Sequence, residues 1–349
     1  MDIKVDQEYL EKAIELHKSY PVVDAHLDLA GEILLRRQGG EENIIRNHYL
    51  SHFREAGVNL ILSSIYVENR NLDHAWDDAL AQINALKQDT EGVRELMLIG
   101  SKRDLKQALS EKKIGILLYM EGLDCIGEDL DKLTELKKLG VRGAALTWSR
   151  SNALAVGCCR ALEQKQIPGP ITDSGIKALQ KMEELSMFLD VSHLNDEGFE
   201  QICRLARRPF IATHSGSRAV HFSYRNLTDE QMAALADQGG IIGLNGYRYI
   251  VGSLEGNHLE MLCRHVEHEV EYIGAEHVGY GFDLCASYDR ARAALDGSEL
   301  PEQNDCLLHH GQIPLVTAAL LSRGMEEQDV CRIIGKNFID YFQKMLPQD

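Results

Sequence analysis

"PVVDAHLDL", residues 21–29, is an apolar run interrupted by His26 and Asp28. In a strand, side chains two apart share a face, so the imidazole and the carboxylate point to one spot. A charge placed there without a partner is costly. The surrounding Val22, Val23, Ala25, Leu27 and Leu29 fall on both faces, as expected of a parallel strand covered on each side. Taken alone, the pair also fits a satisfied core histidine with a capping aspartate, and the rest of the chain has to decide between the two readings.

Seven similar runs follow: "GVNLILSSIYV" (57–67), "KIGILLYME" (113–121), "VRGAALTW" (141–148), "SMFLDVSHL" (186–194), "RPFIATHS" (208–215), "GGIIGLNGY" (239–247) and "EHVGYGFDL" (276–284). Amphipathic stretches with start and stop signals separate them. "LTDEQMAALADQGG" carries a capping box, Thr228 with Gln231, and ends at Gly239. "EDLDKLTELKKLG" stops at Gly140, and "ITDSGIKALQKMEELS" begins with Thr172 or Asp173 as its cap. Eight strand-then-helix units without a Pro/Ser-rich linker predict an α/β fold, a single (β/α)8 TIM barrel domain over residues 1–349. Residues 1–20 read as an N-terminal helix, and the polar stretch 288–306 as a mobile loop.

Composition limits the function. The chain has 349 residues, 44% of them apolar, and a formal charge of −17. That charge opposes binding to nucleic acid or to an anionic membrane surface. The charged start contains no apolar signal core, no run of 18 apolar residues occurs, and the tail "KNFIDYFQKMLPQD" lacks a lipid-anchor signal. Eight cysteines are scattered without CxxC spacing and read as reduced thiols, the adjacent Cys158 and Cys159 as two small loop residues. The expected location is cytoplasmic.

The ionisable residues fall in a telling order. His26 and Asp28 end the first run, Glu121 the third, His193 the fifth, His214 the sixth and Asp283 the eighth. In a (β/α)8 barrel the C-terminal strand ends form the active-site face, so six groups of metal-ligand type converge on one rim. Three imidazoles with two or three carboxylates and no thiolate suit zinc or a similar ion, and are too nitrogen-rich for magnesium or calcium. One four-coordinate ion would not need all six. Two ions sharing a bridging carboxylate, about 3.5–4 Å apart with a water between them, would. Glu121 ends an apolar run just before Gly122, where an unpaired carboxylate would be expensive. "DVSH" and "ATHS" each set a histidine beside a hydroxyl after a β-run. His265 and His268 in "RHVEHEVEY" lack the HExxH order and read as a solvated helix face.

The stretches "VDAHLDL", "MEG", "GVRGAALTWSRSNALA", "ITDSGIKALQKMEELSMFLDVSHL", "ATHSGSRAV", "YRNLTDEQMAALADQGGIIGLN" and "EHVGYGFD" run in one order from about residue 20 to about 285. Together they resemble the membrane (renal) dipeptidases, dinuclear zinc peptidases on a (β/α)8 barrel, and in particular a soluble, bacterial-type member. The resemblance implies two Zn2+ ions. His26 and Asp28 would be ligands of the first, Glu121 the carboxylate shared by both, and His193 with His214 ligands of the second. It further implies that Asp283 meets the substrate's free amine and handles the proton, and that Arg225 clamps the terminal carboxylate, a task a guanidinium fork fits. The pocket would accept a D-residue on the C-terminal side. Two positions depart from the family pattern. Trp148 stands where a histidine commonly helps polarise the scissile carbonyl, and Leu284-Cys285-Ala286 replaces Phe-Asp-Gly.

The expected function is therefore a zinc-dependent dipeptidase of the metal-dependent hydrolase type, acting through a metal-bridging hydroxide. Asp283 and Glu121 would be catalytic, and Arg225, Trp148 and Asp283 would bind substrate. The partner would be a small dipeptide, with a homodimer as a candidate assembly. The rivals are another hydrolase on the same barrel (lactonase, amidase or deaminase), because the fold does not fix the chemistry, and a non-catalytic metal-binding homologue. The usual carbamylated lysine of those other hydrolases has no counterpart near the third or fourth strand ends, where Glu121 stands instead.

Overall fold

The structure is a computed structural model that describes residues 5–159 and 165–349. Among these residues there are nine strands, all pairing in parallel: β1 (Val22–Leu27), β2 (Val58–Tyr66), β3 (Leu96–Leu98), β4 (Ile114–Glu121), β5 (Val141–Ala145), β6 (Phe188–Asp190), β7 (Ala212–Ser215), β8 (Ile242–Leu244) and β9 (Val278–Tyr280). Two arcs, β1-β2-β4-β5-β6 and β7-β8-β9, form the barrel wall. A single bridge between Asp190 and Ile211 joins them. The gap between β9 and β1 is spanned by a side chain: the Phe282 amide donates to Asp24 Oδ1 at 2.8 Å. His310 holds the other oxygen of Asp24 at 2.9 Å. This buried aspartate was not singled out in the sequence, although it lies within the opening stretch.

The eight expected barrel strands are all present, and the (β/α)8 architecture holds. β3 is an addition, a three-residue strand that pairs with β4 off the barrel path, Leu96 beside Ile114. Three apolar residues are too few to stand out as a periodic run. The later strands are shorter than their apolar runs. In the run 186–194, for example, only Phe188–Asp190 is strand. Ser186 and Met187 precede the strand, and residues 191–194 form a buried turn beyond its end, which keeps an apolar composition without extending the strand.

Alternation along the strands builds two layers. On β2, Leu60 and Leu62 join a cluster with Leu117, Tyr119 and Phe188, while Ile61 and Ile65 pack with the surrounding helices. Burying each such aliphatic side chain contributes roughly 1.5–3 kcal/mol, so the two-sided pattern stabilises both layers. The expected caps are in place. Thr228 and Gln231 form a reciprocal capping box on the helix Asp229–Asp237, and Thr172 caps the helix Asp173–Glu184. The helix Asp131–Lys138 runs up to Gly140, whose φ is +103°.

Two expectations change. The segment 288–306 is helical in its first half, within the helix Ala286–Asp296, where its polar composition had suggested a loop. Its start is tied down, because Asp305 accepts from the Cys285 and Ala286 amides at 3.1 and 2.8 Å. His265 is not solvated but fully buried. Its Nδ1 accepts from the Ser217 amide at 2.9 Å and its Nε2 lies 3.2 Å from the Val251 carbonyl. His268 keeps to the helix edge and pairs with Asp229 at 2.8 Å. The N-terminal helix runs Gln7–Ser19, and residues 1–4 lie outside the described part. Cys125, Cys158, Cys203, Cys263, Cys285, Cys306 and Cys331 are free thiols. Among the described residues no helix is long and apolar enough to cross a membrane.

Candidate metal and substrate site

The barrel mouth gathers the six expected groups. Glu121 is the last residue of β4, and Gly122 follows with φ +90° and the Trp148 amide 2.9 Å from where a Cβ would sit. Only glycine fits that turn, and the turn swings the chain away so that the carboxylate faces the mouth. His26 lies in β1 and His214 in β7. His193 sits beyond β6, in the turn that leads to the helix Asp196–Leu205. Asp28 has left β1 and stands at the start of the helix Leu29–Gln38. The His26/Asp28 pair thus converges through a strand-to-helix turn and not through strand alternation, and the register of β1 against β2 shifts just there.

Three Nε2 atoms surround one carboxylate oxygen. Glu121 Oε1 is 2.7 Å from His193 Nε2, 3.4 Å from His214 Nε2 and 3.8 Å from His26 Nε2. His193 and His214 meet Nε2 to Nε2 at 2.9 Å. His26 Nε2 is also 3.7 Å from Asp28 Oδ1 and 3.4 Å from Asp283 Oδ1. Two donor groups result, His26-Glu121-His214 and His26-Asp28-Asp283, each with its ligand atoms within 4.8 Å of one another.

The opposite ring nitrogens are all engaged. His26 Nδ1 pairs with Tyr119 Oη, His193 Nδ1 with Ser149 Oγ at 2.9 Å, and His214 Nδ1 with Thr213 Oγ1 at 2.7 Å. Thr213 Oγ1 donates in turn to Asp190 Oδ2 at 2.7 Å, so the His214 tautomer is set by a buried aspartate. Ser64 Oγ donates to Asp28 Oδ1. Such outer partners orient metal-binding imidazoles and fix the free nitrogen as the ligand. Burial, and then the Arg225 charge, lowers His26 to about 3, and burial leads the depression of His193 and His214 as well. All three imidazoles are thus neutral, the form that binds a metal.

The carboxylates press the same way. Burial and then Asp28 drive Glu121 well above the carboxylate range; burial raises Asp28 to about 6, and burial and then Asp28 raise Asp283 to about 8. Packed carboxylates facing inward need cations to be ionised together. His26 Nε2 is buried without a hydrogen-bond partner, and the Nε2 atoms of His193 and His214 face each other. Divalent cations suit this donor set. The cysteine-free mixture of imidazole and carboxylate is a borderline-metal set.

Asp283 has φ +54°, a left-handed conformation that is uncommon for a non-glycine residue and recurs at functional sites. Asn245 Nδ2 reaches its Oδ2 at 3.3 Å, and Cys285 Sγ lies 3.4 Å from its Oδ1. The Cys285 departure therefore touches the site directly. Arg225 is buried, donates to the His214 carbonyl at 3.1 Å and places Nη2 3.3 Å from His193 Nε2, while its Nη1 has no partner. Trp148 lies beside the histidines, its ring 5.8 Å from His193 and 5.0 Å from Tyr66. Arg150 packs on both aromatic rings and pairs with Asp124 at 3.0 Å.

Sequence reading placed the six ionisable groups, Arg225 and Trp148 at one mouth. It passed over Tyr119, Ser64, Ser149, Thr213, Asp190 and Asn245, which hold them. A weak signal existed for some, since Tyr119 precedes Glu121 by two and shares its face, and Thr213 adjoins His214.

The family model for membrane dipeptidase (peptidase family M19) matches residues 10–345. Dipeptidase 3 of Mus musculus is 26% identical over 97% of this chain and 67% of its own length. A dipeptidase crystal structure, described as an M19 metallopeptidase, is 25% identical with a TM-score of 0.80, covering 94% of this chain and 99% of that one. A metallopeptidase from Rhodobacter sphaeroides, liganded with a phosphinate mimic of the dipeptide L-Ala-D-Ala, shares the fold at a TM-score of 0.81 and 24% identity, covering 93% of this chain and 99% of that one. The chain belongs to the membrane dipeptidase family, peptidase family M19, and is a metallo-dipeptidase.

Proposed function

We propose that the chain is a cytoplasmic dipeptidase that holds two zinc ions at the mouth of one barrel domain and hydrolyses small dipeptides. The observation that carries this reading is the ring of three Nε2 atoms around Glu121 Oε1, each imidazole held from behind through Nδ1. His26 and Asp28 would hold one ion, His193 and His214 the other, and Glu121 would serve both. When bound, the cations polarise the scissile carbonyl and make a water nucleophilic near neutral pH.

The protein's own residues do the rest. Asp283, between Asn245 and His26, accepts the proton released at attack and passes it to the leaving amine. Its carboxylate also faces the free amine of the substrate. The unpartnered Nη1 of Arg225 is available for the terminal carboxylate, while Nη2 stays anchored to the His214 carbonyl. A positive group at one end and a negative one at the other select a zwitterion about two residues long. Trp148, braced by Tyr66 and Arg150, walls the pocket and offers one N–H donor where a histidine could exchange a proton. The dipeptide mimic bound to the Rhodobacter protein supports a D-residue on the C-terminal side. Metal analysis combined with a panel of L,L and L,D dipeptides tests the reading. About two zinc ions per chain with turnover of dipeptides is the expected result, and an active, metal-free protein would overturn it.

A further inference from the structure

A second set of nitrogen and oxygen donors lies outside the barrel mouth, where neither the family resemblance nor the catalytic reading makes use of it. His52 and Glu55 stand one turn apart on the helix Leu50–Ala56, and His309 faces them from the segment just before His310. One ligand atom from each of the three lies within 4.8 Å of the other two. We infer that His52, Glu55 and His309 form an additional site for a divalent transition metal such as zinc.

Four features support it. The two imidazoles stack with ring centres 3.9 Å apart and an angle of 23° between their planes. His52 Nδ1 is 3.6 Å from Glu55 Oε2, too far for a hydrogen bond. The Nδ1 atoms of both His52 and His309 are shielded from solvent and have no hydrogen-bond partner. Two such nitrogens on stacked rings are costly unless something binds them. Finally, Gly311 leaves the space open: a Cβ there would sit 2.4 Å from Glu55 Oε2 and 2.9 Å from His309 Nδ1.

The chemistry follows from the donors. Two imidazoles and one carboxylate suit zinc, nickel or copper over magnesium or calcium. Three protein ligands leave at least one position for water or a small anion. Both histidines line a cavity of about 290 Å3, shared with His48, Arg290 and Asp305, that gives such a ligand room. Glu55 is largely exposed, so the ion can enter without opening the core. The loop carrying His309 is pinned, since the Leu308 amide donates to Gln312 Oε1 at 2.7 Å.

The test counts metal in the folded holoenzyme. Wild type, the H52A/H309A double variant and G311A are dialysed against Zn2+ buffered across a range of free concentrations, and bound zinc is measured per chain. Wild type should bind one ion more than the double variant, and the extra ion should be spectroscopically distinct when Co2+ replaces zinc. G311A keeps all three ligands but crowds Glu55, so its extra ion should bind roughly tenfold to a hundredfold more weakly. Thermal melting of the three proteins checks that each is folded. Should the double variant fail to fold, the comparison of wild type with G311A decides by itself. Equal zinc content and equal affinity across the folded proteins would overturn the site.

Discussion

Glu121 and His193 meet at 2.7 Å, Oε1 to Nε2, at the point where the other two imidazoles also arrive. The glutamate is therefore the hub of the site, and each histidine a spoke. Glu121→Ala should release both barrel ions. His193→Ala removes a ligand from one side only and should empty mainly that position. Zinc measured per chain after dialysis distinguishes the two. A Glu121→Ala protein that keeps one tightly held ion would show that the carboxylate is not shared.

Arg225 offers a second handle, because one of its guanidinium nitrogens is anchored and the other is buried without a partner. A substrate carboxylate at Nη1 would gain a charge-assisted pair worth roughly 1.5–3 kcal/mol, about tenfold to a hundredfold in kcat/KM. Dipeptides should thus outperform dipeptide amides by that factor, and Arg225→Ala should erase the difference. Equal turnover of acids and amides by the unmutated enzyme would remove the clamp.

The eight barrel strands and the six ionisable groups were legible because both rest on local pattern: apolar runs, caps, and charged residues at their ends. What failed to show in the sequence depends on contacts across the barrel. Asp24 closes the wall through the Phe282 amide, a partner some 258 positions away. Asp190 reaches His214 only by way of Thr213. His265 looked like a solvated helix face because its helix is polar in composition, yet it turns inward to meet the Ser217 amide. Spacing carries no trace of such pairings. The same holds for His52 and His309, which become neighbours only when the helix Leu50–Ala56 packs against the segment preceding His310.

His17 makes stability depend on pH far from the catalytic groups. It is buried, with Nδ1 2.7 Å from the Ala56 carbonyl and Nε2 2.8 Å from Thr317 Oγ1. Burial lowers it from 6.5 to about 4. The unfolded chain therefore takes up a proton that the folded chain refuses. Its contribution is complete above about pH 6.5 and is lost as the pH falls toward 4, by roughly 3 kcal/mol in all. His17→Gln cannot titrate. It should lower stability at pH 7 yet flatten the decline between pH 6.5 and 4 by about one proton in urea unfolding measured beside wild type. An unchanged slope would mean that His17 is protonated in the folded state.

Asp283 decides how the proton moves. Its Oδ1 is closer to His26 Nε2 than that of Asp28 is, 3.4 Å against 3.7 Å, so its position suits a metal ligand as well as a base. Burial, reinforced by Asp28, raises it to about 8, and bound cations would pull it back toward the ionised form. Asp283→Asn is the informative change, because asparagine also tolerates the φ of +54° and leaves the backbone in place. With the proton acceptor gone, kcat should fall by about 10²–10⁴ while zinc stays bound. KM should rise as well, since the free amine of the substrate loses its counter-charge. The measurement is kcat beside zinc content for the same preparation. Zinc lost in step with activity would make Asp283 a ligand and send the search for the base elsewhere. Full activity with zinc in place would remove it from the reaction.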